Sequence, residues 1–327
     1  MGTGRTAYPK GKDFIFTICD DTDVATLEYI RPVYDFLSDL GMLTTKTVWP
    51  LSYDGPSDYR GSHTLQDPGY AKYIVELRDR GFEIGYHGPS LVSMDRSHIQ
   101  LSFDVFHDVL SSYPRMYAAH ATNRENLYWG AERFSFPLFR LLYSVMTRTA
   151  DAYYQGHVEG TPYFWGDLAL RHIDYMRGFT YREMNLLNLS KAITYRDSRC
   201  TWVKNWFITG DADNVEEFNR LLGERDQERL EKKHGVCIIS THFGKGYVHH
   251  GGLHKRTRTL LKQLSRRNGW FVPVSTALDF LKTTYAPDKD VPHLTLLILE
   301  LKWLLDLVKR RGGHLPYEKT ELPYLKH

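Results

Sequence analysis

Apolar runs with strand character fall at residues 13–19, 45–49, 82–86, 115–120, 236–241 and 271–274. Between them, stretches with helical periodicity fall at 23–41, 68–80, 96–112, 135–148, 215–234 and 252–268. Short buried runs alternating with longer amphipathic ones predict parallel strands joined by crossover helices. No internal repeat, low-complexity tract or Pro/Gly-rich linker interrupts the alternation. The pattern predicts a parallel β/α fold over 1–285, followed by a C-terminal helical extension over 286–327.

Composition narrows the function classes. A chain of 327 residues, 42% hydrophobic, can bury a large core, and a single α/β barrel of about 250–300 residues is common. The formal net charge of +3 is too small to imply nucleic acid. Cys19, Cys200 and Cys237 form no CxxC pair, so neither a zinc knuckle nor a disulfide framework is expected. Aromatic residues reach 14%, which suits both sugar stacking and a large core.

The candidate chemistry sits where strands end. The first run, Phe14-Ile15-Phe16-Thr17-Ile18-Cys19, finishes in Asp20-Asp21. Adjacent carboxylates raise each other's proton affinity, and a metal ion or a proton-transfer role relieves that. Asp21-Thr22-Asp23 also reads simply as the cap of the helix that follows. Three later strand-like runs end in histidine, at His87, His120 and His242. A barrel directs all such ends at one mouth.

These residues resemble the polysaccharide deacetylase (NodB-homology) superfamily, and within it the divergent branch associated with surface-polysaccharide biosynthesis. Thr17-Ile18-Cys19-Asp20-Asp21-Thr22 is similar to the family's opening Thr-Phe-Asp-Asp-Gly. Gly81-Phe82-Glu83-Ile84-Gly85-Tyr86-His87 matches its second motif, and Ile238 to His242 its last. A late strand and helix, Gly269 to Leu281, fit as well, so the likeness covers roughly residues 12–285. The resemblance implies a distorted (β/α)7-type barrel, here with a C-terminal amphipathic helix. It also implies a divalent metal, zinc by preference, and hydrolysis of an N- or O-acetyl group. Carried onto this chain, it makes Asp20 the general base and Asp21 a metal ligand. The family's second motif has a further histidine four residues on, where this chain has Leu91. His120 is then the third ligand beside Asp21 and His87, and His242 the general acid. The exchange of His120 and His242 stays open, as does a site without metal. His98 is expected to face away.

Such a set is a three-ligand metal site with an open position for water. In the middle of the chain, Asn123, Trp129, Trp165, Asp167 and Arg177 are candidate substrate contacts. The tryptophans would be stacking platforms, and Arg177 and Asn123 would bind hydroxyls or a phosphate. Loop-packing tryptophans and a helix-capping Asp167 are the plainer account. His249, His250 and His254 read as solvated loop histidines. The C-terminal segment 293–311 is too short and too charged to cross a membrane. It reads either as an amphipathic helix packed on the barrel or a second subunit, or as a peripheral membrane contact.

The chain opens Met1-Gly2-Thr3-Gly4-Arg5 with no apolar stretch behind it, which predicts a cytoplasmic protein, at most at the inner membrane surface. The expected substrate is an acetylated sugar intermediate of lipopolysaccharide or capsule biosynthesis, nucleotide- or lipid-linked. A non-catalytic relative that binds a glycan or a partner is the alternative, favoured by Leu91. A glycosidase would need two carboxylates across a sugar, and Asp20 with Asp167 is the only pair to nominate.

Overall fold

Strand β1 (Phe14–Asp20) is buried along its whole length. It reads as a continuous apolar run because helices cover one side of it and the barrel interior the other. The structure is a computed structural model that describes residues 8–53, 61–147, 153–285 and 290–312. The further strands are β2 (Thr45–Val48), β3 (Glu83–Tyr86), β4 (Met116–Tyr117), β5 (Tyr175–Tyr181), β6 (Thr194–Tyr195), β7 (Trp206–Asp211) and β8 (Val236–Thr241). A small hairpin, β9 (Val248–His249) and β10 (Gly252–Leu253), precedes β11 (Gly269–Phe271).

Parallel pairing runs β1-β2-β3-β4-β5-β7-β8, and β8 returns to pair with β1, so seven strands close a ring. The chain folds as a (β/α)7-type barrel. Its distortion is at β1, whose first half pairs with β11 and whose end pairs with β2. β6 pairs antiparallel with the start of β7, and β8 pairs with its end.

Helices α1 (Leu27–Asp39), α2 (Pro68–Asp79) and α3 (Arg96–Leu110) follow the first three strands. α4 (Pro137–Thr147) and α5 (Gly166–His172) lie between β4 and β5. α6 (Val215–Leu221), α7 (Glu224–Lys232), α8 (Lys255–Ser265), α9 (Val274–Tyr285) and α10 (His293–Gly312) complete the wall. α3 illustrates the local logic. Asp95 caps it by accepting from the His98 amide, and Ile99, Phe103, Phe106 and Leu110 form its buried stripe.

The strand expected at 271–274 lies earlier, because Pro273 has no N–H for a ladder and α9 starts at Val274. The helix expected over 215–234 is two helices, broken at Leu222–Gly223. β5 and β7 went unpredicted. Arg177 and Gly178 break the apolar pattern of β5, although Arg177 is buried. No helix among the described residues is long and apolar enough to cross a membrane. α10 lies on the barrel, where the Tyr181 hydroxyl donates to the Leu299 carbonyl at 2.9 Å.

Candidate metal centre

The strand ends bring Asp21, Asp23, His87, His120 and His242 together at one mouth. Asp21 is the first residue past β1, and its amide donates to the Thr241 carbonyl at 2.8 Å. The chain then turns sharply. Val24 takes a left-handed φ of 57°, costly for a β-branched residue. The loop after β8 holds that turn from outside. A Cβ on Gly244 would lie 2.3 Å from the Val24 carbonyl oxygen, so only glycine lets the two loops touch.

Asp23 occupies the centre. Its Oδ2 lies 3.3 Å from His87 Nε2 and 3.1 Å from His242 Nε2, and its Oδ1 lies 3.1 Å from His120 Nε2. These are close approaches without hydrogen-bond geometry at His87, where neither ring nitrogen has a partner, and at Asp23 Oδ1. All are buried except His242, which is partly open to the mouth.

The tautomers follow from the second ring nitrogens. His120 Nδ1 lies 2.9 Å from Asn123 Oδ1. The Asn123 amide nitrogen donates to the Ser90 carbonyl and to Glu125 Oε1, so its oxygen must face the histidine and His120 Nδ1 must donate. His242 Nδ1 lies 2.8 Å from the Asp213 carbonyl oxygen, which can only accept. Both rings therefore aim Nε2, a lone pair when neutral, at a carboxylate. Lone pairs facing an anion need a positive charge between them, either protons or a cation. In the metal-free state the surroundings strengthen proton binding at two of the three rings and weaken it at the third. Burial works against charging His120 and His242, and for His242 so does Lys245, yet Asp23 outweighs these effects and raises both. For His87 burial wins and the ring is lowered. Asp23, despite burial, is held well below the carboxylate range by the three histidines.

A buried carboxylate among imidazole nitrogens, with donor atoms of Asp21, Asp23 and His242 within 4.8 Å of one another, fits a divalent ion of the zinc type. The hydrogen bonds from Nδ1 to Asn123 and Asp213 are the kind that orient metal-binding histidines.

The two aspartates first singled out sit differently. Asp20 is fully buried and already bonded. Oδ2 meets Lys46 Nζ at 2.9 Å and the Tyr34 hydroxyl at 3.0 Å, and Oδ1 accepts from the Phe243 amide at 2.8 Å. Burial raises its pKa above the usual range against the pull of Lys46. Asp21 is gripped by Arg177, with Nη1–Oδ1 and Nη2–Oδ2 both 2.7 Å. Burial pushes Asp21 up, but the guanidinium outweighs it and the carboxyl stays below its ordinary value. Asp21 Oδ2 is 3.8 Å from His242 Nε2.

The remaining candidates divide. Asn123 supports His120 from behind, and Arg177 serves Asp21, so neither is turned to a ligand. Trp165 is buried, donates to the Glu125 carbonyl at 2.6 Å, and packs its ring on Tyr86, Phe103 and Tyr117, leaving no face for a sugar. Trp129 carries the Arg133 guanidinium 4.0 Å over its ring. Asp167 is at the surface in a two-pronged pair with Arg96. His98 is exposed and bonded to Asp95, outside the site. His254 caps α8. Sequence reasoning passed over Asp23 as a helix cap and did not single out Trp49, whose indole donates to the His87 carbonyl and whose ring lies against His87 and His120. Aspartate two residues past a strand-end pair was the available signal.

No known family model matches this chain, and no curated protein does. Solved structures do. A Mycobacterium smegmatis protein described as a polysaccharide deacetylase superposes with a TM-score of 0.51 at 10% identity, over 90% of this chain and 98% of its own. At that identity the likeness concerns the fold. A Puue allantoinase aligns at 0.48 and 10% identity, over 85% and 93% of the two chains. The catalytic domain of a peptidoglycan N-acetylglucosamine deacetylase from Eubacterium rectale aligns at 0.38 and 10% identity, over 83% and 92%.

Proposed function

We propose that the protein is a divalent-metal-dependent hydrolase that removes an N- or O-acetyl group from a sugar intermediate of surface-polysaccharide biosynthesis. The observation that carries the reading is the convergence of three imidazole Nε2 atoms on the Asp23 carboxylate without hydrogen-bond geometry at His87 or at Asp23 Oδ1. Asp23, His87 and His120 would hold the ion, leaving Asp21 and His242, whose donor atoms lie within 4.8 Å of that of Asp23, beside it for proton transfer. Relative to the expected Asp20 and Asp21, the roles of base and ligand move to Asp21 and Asp23, because the histidine Nε2 atoms converge on Asp23 and Asp21 Oδ2 lies 3.8 Å from His242 Nε2, whereas Asp20 is turned to Lys46, Tyr34 and the Phe243 amide. The substrate class rests on the sequence resemblance and agrees with how the Mycobacterium smegmatis neighbour is described.

A bound divalent ion supplies water of lowered pKa and polarises an acetyl carbonyl. The chain's own groups do the rest. Arg177 keeps Asp21 ionised, so that Asp21 can take a proton from the attacking water. His242 is oriented by the Asp213 carbonyl, and the Lys245 ammonium lies 2.7 Å from Asp213 Oδ1. Partly open to the mouth, His242 gives a proton to the departing nitrogen or oxygen of the sugar. The products are acetate and a free amino or hydroxyl sugar.

The test is zinc content of the purified protein together with acetate release from a panel of N- and O-acetylated sugars. About one ion per chain and metal-dependent acetate release are expected. Failure to rebind zinc, cobalt or manganese after chelation would leave the non-catalytic glycan- or partner-binding alternative standing.

A further inference from the structure

Arg124 follows Asn123, the residue that orients His120. Its guanidinium lies over two tyrosine rings, 4.7 Å from the centroid of Tyr163 and 5.6 Å from that of Tyr153. The Tyr153 hydroxyl donates to the Thr122 carbonyl at 3.0 Å, and the Tyr154 hydroxyl to the Ala121 carbonyl at 2.9 Å. Ala121 and Thr122 are exposed and follow His120 directly, so this aromatic brace stands at the edge of the mouth. The backbone of Arg124 is pinned as well. Its amide donates to Ser93 Oγ at 3.0 Å, and its carbonyl accepts from the Gln155 amide at 2.6 Å.

Ring faces answer the charge of a guanidinium but not its N–H groups, which lie in the plane. Among the described residues the Arg124 side chain makes no hydrogen bond and has no carboxylate partner, and its Nε is buried. Other cations of the mouth and its flank are spent, Arg177 on Asp21, Lys245 on Asp213 and Arg96 on Asp167. A buried donor left without an acceptor, on a cation held in place, calls for an anion.

We infer that Arg124 binds a phosphate group of the substrate at the rim of the metal centre. This deepens the proposed hydrolase reading and rests on it for the sugar. A planar fork of five N–H groups takes two phosphate oxygens at once, and offers more donors than the two oxygens of a carboxylate can use.

Calorimetry of the metal-free full chain with inorganic pyrophosphate tests it, free of any contact between phosphate and a bound ion. The wild type should bind, and Arg124→Gln should bind roughly 10- to 100-fold more weakly. Should that variant misfold, Arg124→Lys is the milder substitution. It should also weaken binding, because an ammonium cannot span two oxygens. Arg96→Gln should leave binding unchanged. Uridine diphosphate and farnesyl pyrophosphate then compete with pyrophosphate, and the stronger competitor identifies a nucleotide or a lipid as the carrier. Absence of pyrophosphate binding overturns the inference, as does binding that survives the Arg124 substitutions or glucuronate binding in place of pyrophosphate. The hydrolase reading fails separately, through absence of zinc or of acetate release with pyrophosphate binding intact.

Discussion

Arg177 reaches across the barrel from β5 and holds Asp21 with both terminal nitrogens, each 2.7 Å from a different carboxylate oxygen. Both partners are buried, so neither charge is tolerable alone. Arg177→Met should cost about 3–5 kcal/mol in denaturant unfolding, because it strands a buried carboxylate. The double variant with Asp21→Asn should recover much of that loss. Asp21 is depressed in the folded state, so its stabilisation is present above the unfolded carboxylate pKa of about 4 and lost as pH falls below it. Acid unfolding of the double variant should therefore be shallower than that of the wild type.

Asp20 and Asp23 should separate cleanly by metal analysis. Asp23→Ala or His87→Ala should abolish zinc retention with the fold intact. Asp20→Asn should keep zinc and lose stability, by about 3–5 kcal/mol if the buried Lys46 charge is left unpaired. Normal zinc stoichiometry in the His87 variant would remove the proposed centre.

Gly244→Ala should damage the site without touching a candidate ligand. Its Cβ meets the Val24 carbonyl carbon at 2.5 Å and the Asp23 carbonyl oxygen at 2.8 Å, backbone atoms that yield only if the turn moves. A fall of about 1–3 kcal/mol in stability is expected, the usual cost of overpacking. Weakened zinc binding by calorimetry should accompany it, and unchanged zinc affinity would show that Asp23 does not depend on this loop contact.

Glu125 sets a pH dependence of its own. Burial pushes its carboxyl up to about 7, only partly offset by hydrogen bonds from Asn123 and the Met94 amide. The folded state thus binds a proton that the unfolded state releases near 4.5. Its contribution is full below about 4.5 and declines as pH rises towards 7, by about 3 kcal/mol in all. Unfolding of the metal-free protein at pH 5 and pH 8, beside Glu125→Gln, measures it. The variant should lack that part of the slope.

The barrel could be read from the sequence wherever strands were uniformly apolar, as in Phe14–Cys19 and Val236–Thr241. It could not be read at β5, where the arginine that Asp21 requires interrupts the pattern. The histidines could be found because strand ends share a mouth. Asp23 was hidden by ambiguity, since an aspartate before a helix is an adequate cap and only the folded turn shows its carboxylate facing three rings. Asp20 drew attention for the converse reason. Its neutralising partner, Lys46, lies in a strand and gives no sign of its burial.

Strand β1 has a further consequence, for synthesis rather than catalysis. Its partner β8 lies roughly 220 residues further on, as Ile15 pairs with Val236, and β11 later still. At ribosomal speeds of about 5–20 residues per second, the barrel waits on the order of 10–40 s between making its first strand and being able to close. Throughout that interval Phe14–Cys19, the segment that leads into the Asp21–Val24 turn, has a bare edge of apolar backbone. Yield on expression should therefore rise with lower growth temperature and with chaperone supply.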